Sequence, residues 1–306
     1  MENKKLVLIG GGHAHLVALS QIRSLVNRGC EVTVIQPSEH HYYSGMGPGM
    51  LGGTYTPEEI RFQTRRVVTQ QGGVFVQDRA QRIDPERRVV LLESSGREVP
   101  YDVLSCNAGS YGPDQAVASH DNVYTAKPIE GLLRARQEVM NRGRTEALEI
   151  AVVGGGPSGV EIAGNLRQLS EQENLPAVKI RVFAGSRLMK DLPSRIGALA
   201  RKNFGQRNIE VIEGAYAETT ENGNIRLDDG RIFKADIVFL SVGVKPSKIF
   251  NESGLPTGPD GGLLVNRYLQ STAYPNIFGG GDCIHFEPQP LDKVGVYAVR
   301  QNPVLF

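Results

Sequence analysis

The stretch "LEIAVVGGGPSGVEIAGNLRQL", residues 148–169, decides the fold. Residues 150–153 form an apolar run without alternation, as expected of a strand buried on both faces of a parallel sheet. Gly154, Gly156 and Gly159 follow, and then Ile162, Leu166 and Leu169 mark a helical stripe. In a strand-turn-helix setting this spacing reads as a dinucleotide-binding turn. The first glycine makes the tight turn, the second lets the backbone approach a pyrophosphate, and the third lets helix pack on strand. The helix start offers free N–H groups and the positive end of its dipole to the phosphates. Pro157 suits the first helical turn, where its missing N–H costs nothing. The plain alternative is a tight turn without a ligand. "KIRVF", residues 179–183, is the next strand. Its end normally supplies a carboxylate for the ribose of NAD. Here Ala184, Gly185 and Ser186 stand there, followed by Arg187. That favours the 2′-phosphate of NADPH, against a simple surface arginine.

The same unit occurs upstream. In "LIGGGHAHLV", residues 8–17, Gly10 and Gly12 keep the two phosphate positions, and His15 replaces the packing glycine. Ala18, Ile22, Leu25 and Val26 give the helical stripe, Gly29 ends it, and "EVTVIQ" at 31–36 is the second strand. His15 fits if the helix stands off the strand or its ring turns aside. Gln36 takes the place of the ribose-binding acid, with Glu39 as the alternative. Gly154 lies 144 residues after Gly10. The expected fold is therefore α/β, with two Rossmann-like dinucleotide-binding domains. "YDVLSCNAGS" at 101–110 and "ADIVFLSVGVKPS" at 235–247 match as returning strands, with turns at Gly109 and Gly243. "NIFGGGDCIHF" at 276–286 repeats strand-then-glycine, with Asp282 at the turn. Pro113 and Pro128 flank the expected crossover.

Bulk properties exclude several classes. A net charge of +1 gives no electrostatic case for nucleic acid or an anionic membrane. Cys30, Cys106 and Cys283 are far apart, which argues against a disulfide framework, a zinc cluster or a vicinal redox pair. No apolar run approaches the ~20 residues of a membrane helix. "MENKKLVLIGGG" carries no signal peptide, and the expected location is cytoplasmic. His13, His15, His40 and His41 include no helical i, i+4 pair and no cysteine, so no metal site is expected. "HHYYSGMGPGMLGG", residues 40–53, reads as a flexible, partly apolar loop able to lie against a flat ring. Cys283 reads as a buried small residue, although His285 is near.

Together these motifs resemble the pyridine nucleotide-disulfide oxidoreductase superfamily, over nearly the whole chain. "GGGHAH", "YYSGMGPGM", "GVKPS" and "VGVYAVRQ" look most like the flavoproteins related to type II NADH dehydrogenases, a branch of which is fused to selenide water dikinase. The resemblance implies that residues 1–113 plus 246–306 bind FAD and residues 114–245 bind NAD(P)H. Gly10, Gly12, His13 and Ala14 would hold the pyrophosphate of FAD, and Gln36 would face its adenosine ribose. Ala80 would meet the adenine, Ala108 and Gly109 the flavin side, Asp282 the ribitol, and Val294 the flavin ring. Gly154, Gly156, Pro157, Ser158 and Gly159, with Arg187, would hold NAD(P)H. Glu161 matches a family glutamate near the nicotinamide, against an ordinary first-turn acid favoured by the dipole.

Three departures accompany the resemblance. The superfamily's redox disulfide would fall in 40–53, which has no cysteine. The cysteine placement is unlike that of sulfide:quinone reductases. The chain stops at "VYAVRQNPVLF", where relatives continue, so the C-terminal interface domain is expected to be missing. The expected activity is an FAD-dependent NAD(P)H oxidoreductase that passes electrons to a small external acceptor, a quinone among the candidates. Alternatives are a sulfide- or polysulfide-handling flavoprotein and a flavin-binding protein without turnover. A full-length form would sit at the inner face of the membrane as a peripheral protein. The oligomeric state is left open.

Overall fold

The computed structural model describes residues 3–112, 122–219 and 224–306; Pro113 and the expected 113/114 boundary lie outside them. In chain order the elements used below are β1 (Lys4–Ile9), α1 (Leu16–Ser20), α2 (Ile22–Asn27), β2 (Cys30–Gln36), α3 (Gly47–Leu51), α4 (Thr64–Gln70), β3 (Val74–Gln77) and β4 (Val103–Cys106). They continue with β5 (Val123–Thr125), α5 (Ile129–Gly143), β6 (Leu148–Val153), α6 (Pro157–Gln172), β7 (Val178–Phe183), α7 (Ser194–Gln206), β8 (Ile209–Ile212), β9 (Ile237–Leu240), β10 (Ile277–Gly279) and α8 (Gly295–Leu305). The chain divides into two units, Met1–His41 with Arg61–Tyr111 and Lys245–Phe306, and Tyr42–Ile60 with Gly112–Val244.

The first unit holds a parallel sheet ordered β10-β4-β1-β2-β3. Successive residues of β1 face opposite sides. Leu8 packs with Ala18, Leu19, Ile22 and Val68, while Val7 and Ile9 join a second cluster with Leu104, Val90 and Phe250. Both faces are covered, which is why the run needs no polar alternation. The second unit repeats the plan as β5-β9-β6-β7-β8, also parallel. Ile150 and Val152 of β6 pack under α5 and α6, and Ala151 and Val153 pack toward Ile225, Leu227 and Phe233 of a small antiparallel sheet. In each unit four strands follow the dinucleotide order, β3-β2-β1-β4 and β8-β7-β6-β9. The fifth strand differs. It returns from the chain's end in the first unit and precedes the motif in the second.

Two expectations change. The single stripe through Ala18, Ile22, Leu25 and Val26 is broken into α1 and α2. The Gln71 amide inserts at the break: its Nε2 donates to Leu19 O at 2.7 Å, and its Oε1 accepts from Arg23 N at 3.4 Å, in place of the helical Arg23–Leu19 bond. Residues 40–53 are not a loose loop. They carry α3, and residues 42–60 belong to the second unit rather than the first. The glycines are there for close approach. A Cβ on Gly47 would lie 2.7 Å from Ile129 Cδ1, and one on Gly52 2.3 Å from Asn165 Oδ1. Met50 and Leu51 are buried in the same core as Leu132, Ala135 and Leu166.

Leu51→Ala is therefore expected to cost about 2–5 kcal/mol in urea unfolding, as a buried leucine does. A change within about 0.5 kcal/mol, as at an exposed loop, would contradict the docking of α3.

Candidate functional site

The two glycine turns are built alike. Gly10 N–H donates to Ile35 O at 2.8 Å, and Gly154 N–H donates to Phe183 O at 2.9 Å. Each first glycine has positive φ, +83° at Gly10 and +126° at Gly154. Each also faces a carbonyl of the next strand. A Cβ on Gly10 would lie 2.3 Å from Asn107 O, and one on Gly154 2.2 Å from Ser241 O. Asn107 and Ser241 are themselves held in matching register, their N–H groups donating to Ile9 O at 2.8 Å and Val153 O at 2.7 Å. Any side chain at either glycine displaces backbone, so the requirement is steric twice over.

The third position separates the turns. A Cβ on Gly159 would lie 1.9 Å from Gly154 O, so α6 packs directly on its own turn. In the first unit His15 bridges the corresponding place. Its Nδ1 lies 2.6 Å from Gly10 O and its Nε2 2.9 Å from Ser105 Oγ. Gly10 O can only accept, so Nδ1 carries the proton and Nε2 accepts from the Ser105 hydroxyl. The ring is fully buried, and burial pushes its pKa down to about 4 despite the Gly10 bond. It is a neutral imidazole spacer. The backbone makes room with a three-residue 3-10 turn, His13–His15, before α1 begins. The helix-dipole argument therefore belongs to α6, which runs 16 residues, and not to the short α1.

The geometry suits dinucleotides. Gly156 is the N-cap of α6 in extended backbone, and a Cβ there would meet nothing within 4 Å. Space above the helix start is what a pyrophosphate requires, with the N–H groups of Ser158 and Gly159 beneath it. In the first unit a Cβ on Gly12 would lie 2.7 Å from Asn107 Nδ2. Asn107 Nδ2, Thr64 Oγ1 and Ser241 Oγ are buried without a hydrogen-bond partner among the described residues. Asn107 and Ser241 stand at equivalent strand ends beside the two turns, so each turn has an unspent polar group next to it.

Further residues brace the first turn. Asn302 of α8 accepts from Val17 N–H at 2.9 Å and donates to His13 O at 2.5 Å. Gln301 accepts from Gly281 N–H at 2.7 Å, in the turn that carries Asp282. Ser110 Oγ donates to Asp282 Oδ2 at 2.8 Å, orienting that carboxylate. Ala108 packs on the core, Gly109 has φ +69° with open space at its Cβ position, Ala80 starts a hairpin strand, and Val294 is the exposed N-cap of α8. Gln36 requires a correction. Its Oε1 accepts from Gly11 N–H at 2.9 Å, and its two N–H groups go to Ser38 O at 2.6 Å and His40 O at 3.0 Å. No donor is left for a ribose hydroxyl, so Gln36 braces the turn from within. Glu39, half exposed and paired with Arg65, is the carboxylate left at that strand end.

In the second unit Arg187 Nη2 donates to Lys190 O at 2.6 Å, turning back onto its own loop. Its charge also faces Glu213. Burial works to raise the Glu213 carboxyl, but Leu188 N–H, Arg201 and Arg187 together hold it below the ordinary value. The loop thus offers both signs of charge. Glu161 is the fifth residue of α6, one turn beyond the first, so the dipole does not account for it. Shielding from water raises its carboxyl above the usual range.

The sequence profile of the pyridine nucleotide-disulphide oxidoreductase family matches residues 4–300. The chain belongs to this family. Its members are FAD-dependent oxidoreductases of pyridine nucleotides, which are the cofactors the two turns suit. Ferroptosis suppressor protein 1 of Xenopus laevis is 25% identical over 97% of this chain and 79% of its own length. The NADH dehydrogenase-like protein YutJ of Bacillus subtilis is 23% identical over 97% of this chain and 81% of its own. The fold is that of a NAD-dependent persulfide reductase from A. fulgidus, with a TM-score of 0.85 at 21% identity; this chain spans 58% of it. The family takes its name from a disulphide, yet all three cysteines here are free. Cys283 is buried, bonded through Sγ to Gly280 O at 3.3 Å, and burial pushes its thiol up to about 12. Cys106 is likewise buried and raised well above its ordinary value. Among the described residues no helix is long and apolar enough to cross a membrane.

His15 supplies a pH test. Its folded pKa of about 4 lies below the ordinary 6.5, so the unfolded chain takes up the proton first. The stability it contributes is complete above 6.5 and is lost as pH falls toward 4. The loss is on the order of 3 kcal/mol. Urea melts across that window should show the slope in the parent protein, and His15→Asn should flatten it. Ser105→Ala leaves Nε2 unpaired and should cost about 1–3 kcal/mol; an unchanged melt would remove the bridge from the account.

Proposed function

We propose that the chain is an FAD-dependent NAD(P)H oxidoreductase that delivers electrons to a small external acceptor of the quinone class, without a redox-active thiol. The observation that carries this reading is the paired construction of the two glycine turns, each with the same carbonyl crossing and each beside an unspent polar group. FAD is assigned to the first unit and NAD(P)H to the second. Held there, FAD would supply the chemistry of hydride acceptance from a reduced nicotinamide and of electron transfer to the acceptor.

The chain's own residues bind and orient. Gly10 and Gly12 open the first turn to a pyrophosphate, and His15, Gln36 and Asn302 hold that turn in shape from below. Asp282, fixed by Ser110, faces the ribitol chain in this reading, and Ala108 and Gly109 leave the backbone low beside it. In the second unit Gly156, Ser158 and Gly159 cradle the other pyrophosphate at the start of α6. Glu161, with its raised carboxyl, positions the nicotinamide end and moves no proton in the hydride step. The buried, protonated thiols of Cys106 and Cys283 are poor nucleophiles, which disfavours a sulfide route through the protein.

Anaerobic mixing of the FAD-loaded protein with NADH and with NADPH should bleach the flavin band. An FAD-loaded protein that neither coenzyme bleaches would sink the proposal. Gly156→Glu separates the two sites. Its side chain enters open space, so the fold and the FAD remain, and dithionite still reduces the flavin. Reduction by NAD(P)H should require at least ~100-fold more coenzyme, since a carboxylate then occupies the place of a pyrophosphate.

A further inference from the structure

The loops after β7 and β8 are stitched together at one point. Ala184 N–H donates to Ile212 O at 2.8 Å, Gly214 N–H donates to Gly185 O at 2.7 Å, and Gly185 bridges Ala215. Gly185 has φ +64°, and the next residue across the bridge is Tyr216. The Tyr216 ring lies on Gly185: a Cβ there would be 2.9 Å from Cε1 and 3.1 Å from Cδ1. The backbone of Tyr216 is fixed on both sides by Asp228. Tyr216 N–H donates to Asp228 Oδ1 at 3.0 Å, and Asp228 N–H donates to Tyr216 O at 2.9 Å. The residue nevertheless remains 56% exposed. A rigid anchor thus holds an aromatic face out in water at the carboxyl ends of two adjacent strands.

Exposing a tyrosine ring to that degree forgoes the burial that aromatic side chains ordinarily gain. Its place is specific. In this fold a dinucleotide whose pyrophosphate sits at the start of α6 sends its adenosine across the carboxyl ends of β6 and β7. Ser186 and Arg187, the residues at the ribose position, directly follow the glycine that the ring covers. We propose that Tyr216 is the stacking platform for the adenine of the pyridine nucleotide, a subsite that Gly185 creates by leaving its Cβ position to the ring. This rests on the assignment of NAD(P)H to the second unit. The platform contributes affinity for the adenosine half alone and has no part in hydride transfer.

The test compares coenzymes with and without adenosine on the FAD-loaded protein. Tyr216→Leu keeps an apolar cover over Gly185 and removes the aromatic face, and Tyr216→Phe keeps both. ADP-ribose binding, read by calorimetry, should weaken about tenfold in Tyr216→Leu, the scale of one lost base–aromatic stack, and stay as in the parent in Tyr216→Phe. The NADH concentration for half-maximal flavin bleaching should rise by the same factor, at an unchanged limiting rate. Bleaching by reduced nicotinamide mononucleotide, which lacks adenosine, should be unaltered. Equal ADP-ribose binding by parent and Tyr216→Leu would overturn the platform. So would an equal loss with the mononucleotide, which would show the ring acting on the fold. A parent protein that binds no ADP-ribose and is bleached by neither coenzyme would overturn the assignment of the second unit, and the platform with it.

Discussion

Everything in this chain hangs on a backbone carbonyl that leaves no room for a side chain. Asn107 O and Ser241 O each stand a little over 2 Å from where a Cβ of Gly10 or Gly154 would be. The crossing follows from the strand order. Each returning strand, β4 or β9, must pair beside the strand that enters the turn, and its next residue then lies under the first glycine. A turn so tight delivers the following backbone N–H groups to the sheet's carboxyl edge, where dinucleotides bind in this architecture. Nucleotide recognition is thus a consequence of how four parallel strands close on a helix.

The two turns then part. The second keeps its packing glycine and gains a long helix set directly on the turn. The first replaces it with a buried imidazole, and the resulting gap is managed by polar side chains drawn from distant positions. Ser105 comes from β4, Gln36 from β2, and Gln301 and Asn302 from α8 at the far end of the chain. Gln36, Gln301 and Asn302 spend their hydrogen bonds on backbone groups, among them Val17 N–H at the start of α1, which has no partner within its own helix, and Ser105 spends its bond on the His15 ring. The first site therefore depends on side chains from distant positions, whereas the second is braced by backbone, with Met189 N–H donating to Gly155 O at 2.7 Å. Its integrity reports on the folding of the whole first unit.

How much of this the sequence discloses depends on the range of the interaction. The glycine spacing, the apolar strands and the repeat are local patterns, and they place both turns and the sheet class correctly. Gly12 and Gly156 precede the helical turns that follow β1 and β6, Gly159 lies in the first turn of α6, and Asp282 lies in the turn after β10. The α1–α2 break is invisible because Gln71 lies far along the chain from Leu19. The stretch 40–53 misleads because glycines serve close packing as well as flexibility, and only the neighbours Ile129 and Asn165 tell the two apart. Gln36 misleads for a related reason. Its position at the strand end is right, but its amide is claimed by Gly11, Ser38 and His40. The amides of Gln301 and Asn302 leave one trace, a run of Arg300, Gln301 and Asn302 between apolar residues, in which the two amides are buried and therefore hydrogen-bonded.

Cys106 and Cys283, the two thiols that flank the first turn, are buried, and the stretch 40–53 carries no cysteine, so the proposed route from nicotinamide to acceptor runs through no paired thiol. The central claim is that one chain carries two dinucleotides at two separate turns. Native mass spectrometry of the purified protein, supplied with FAD and then with NADP⁺ or NAD⁺, tests it most directly. The account predicts a folded species with one FAD per chain, to which one pyridine nucleotide adds without displacing it. A chain that holds a single dinucleotide, or on which FAD and the pyridine nucleotide exclude each other, would contradict it.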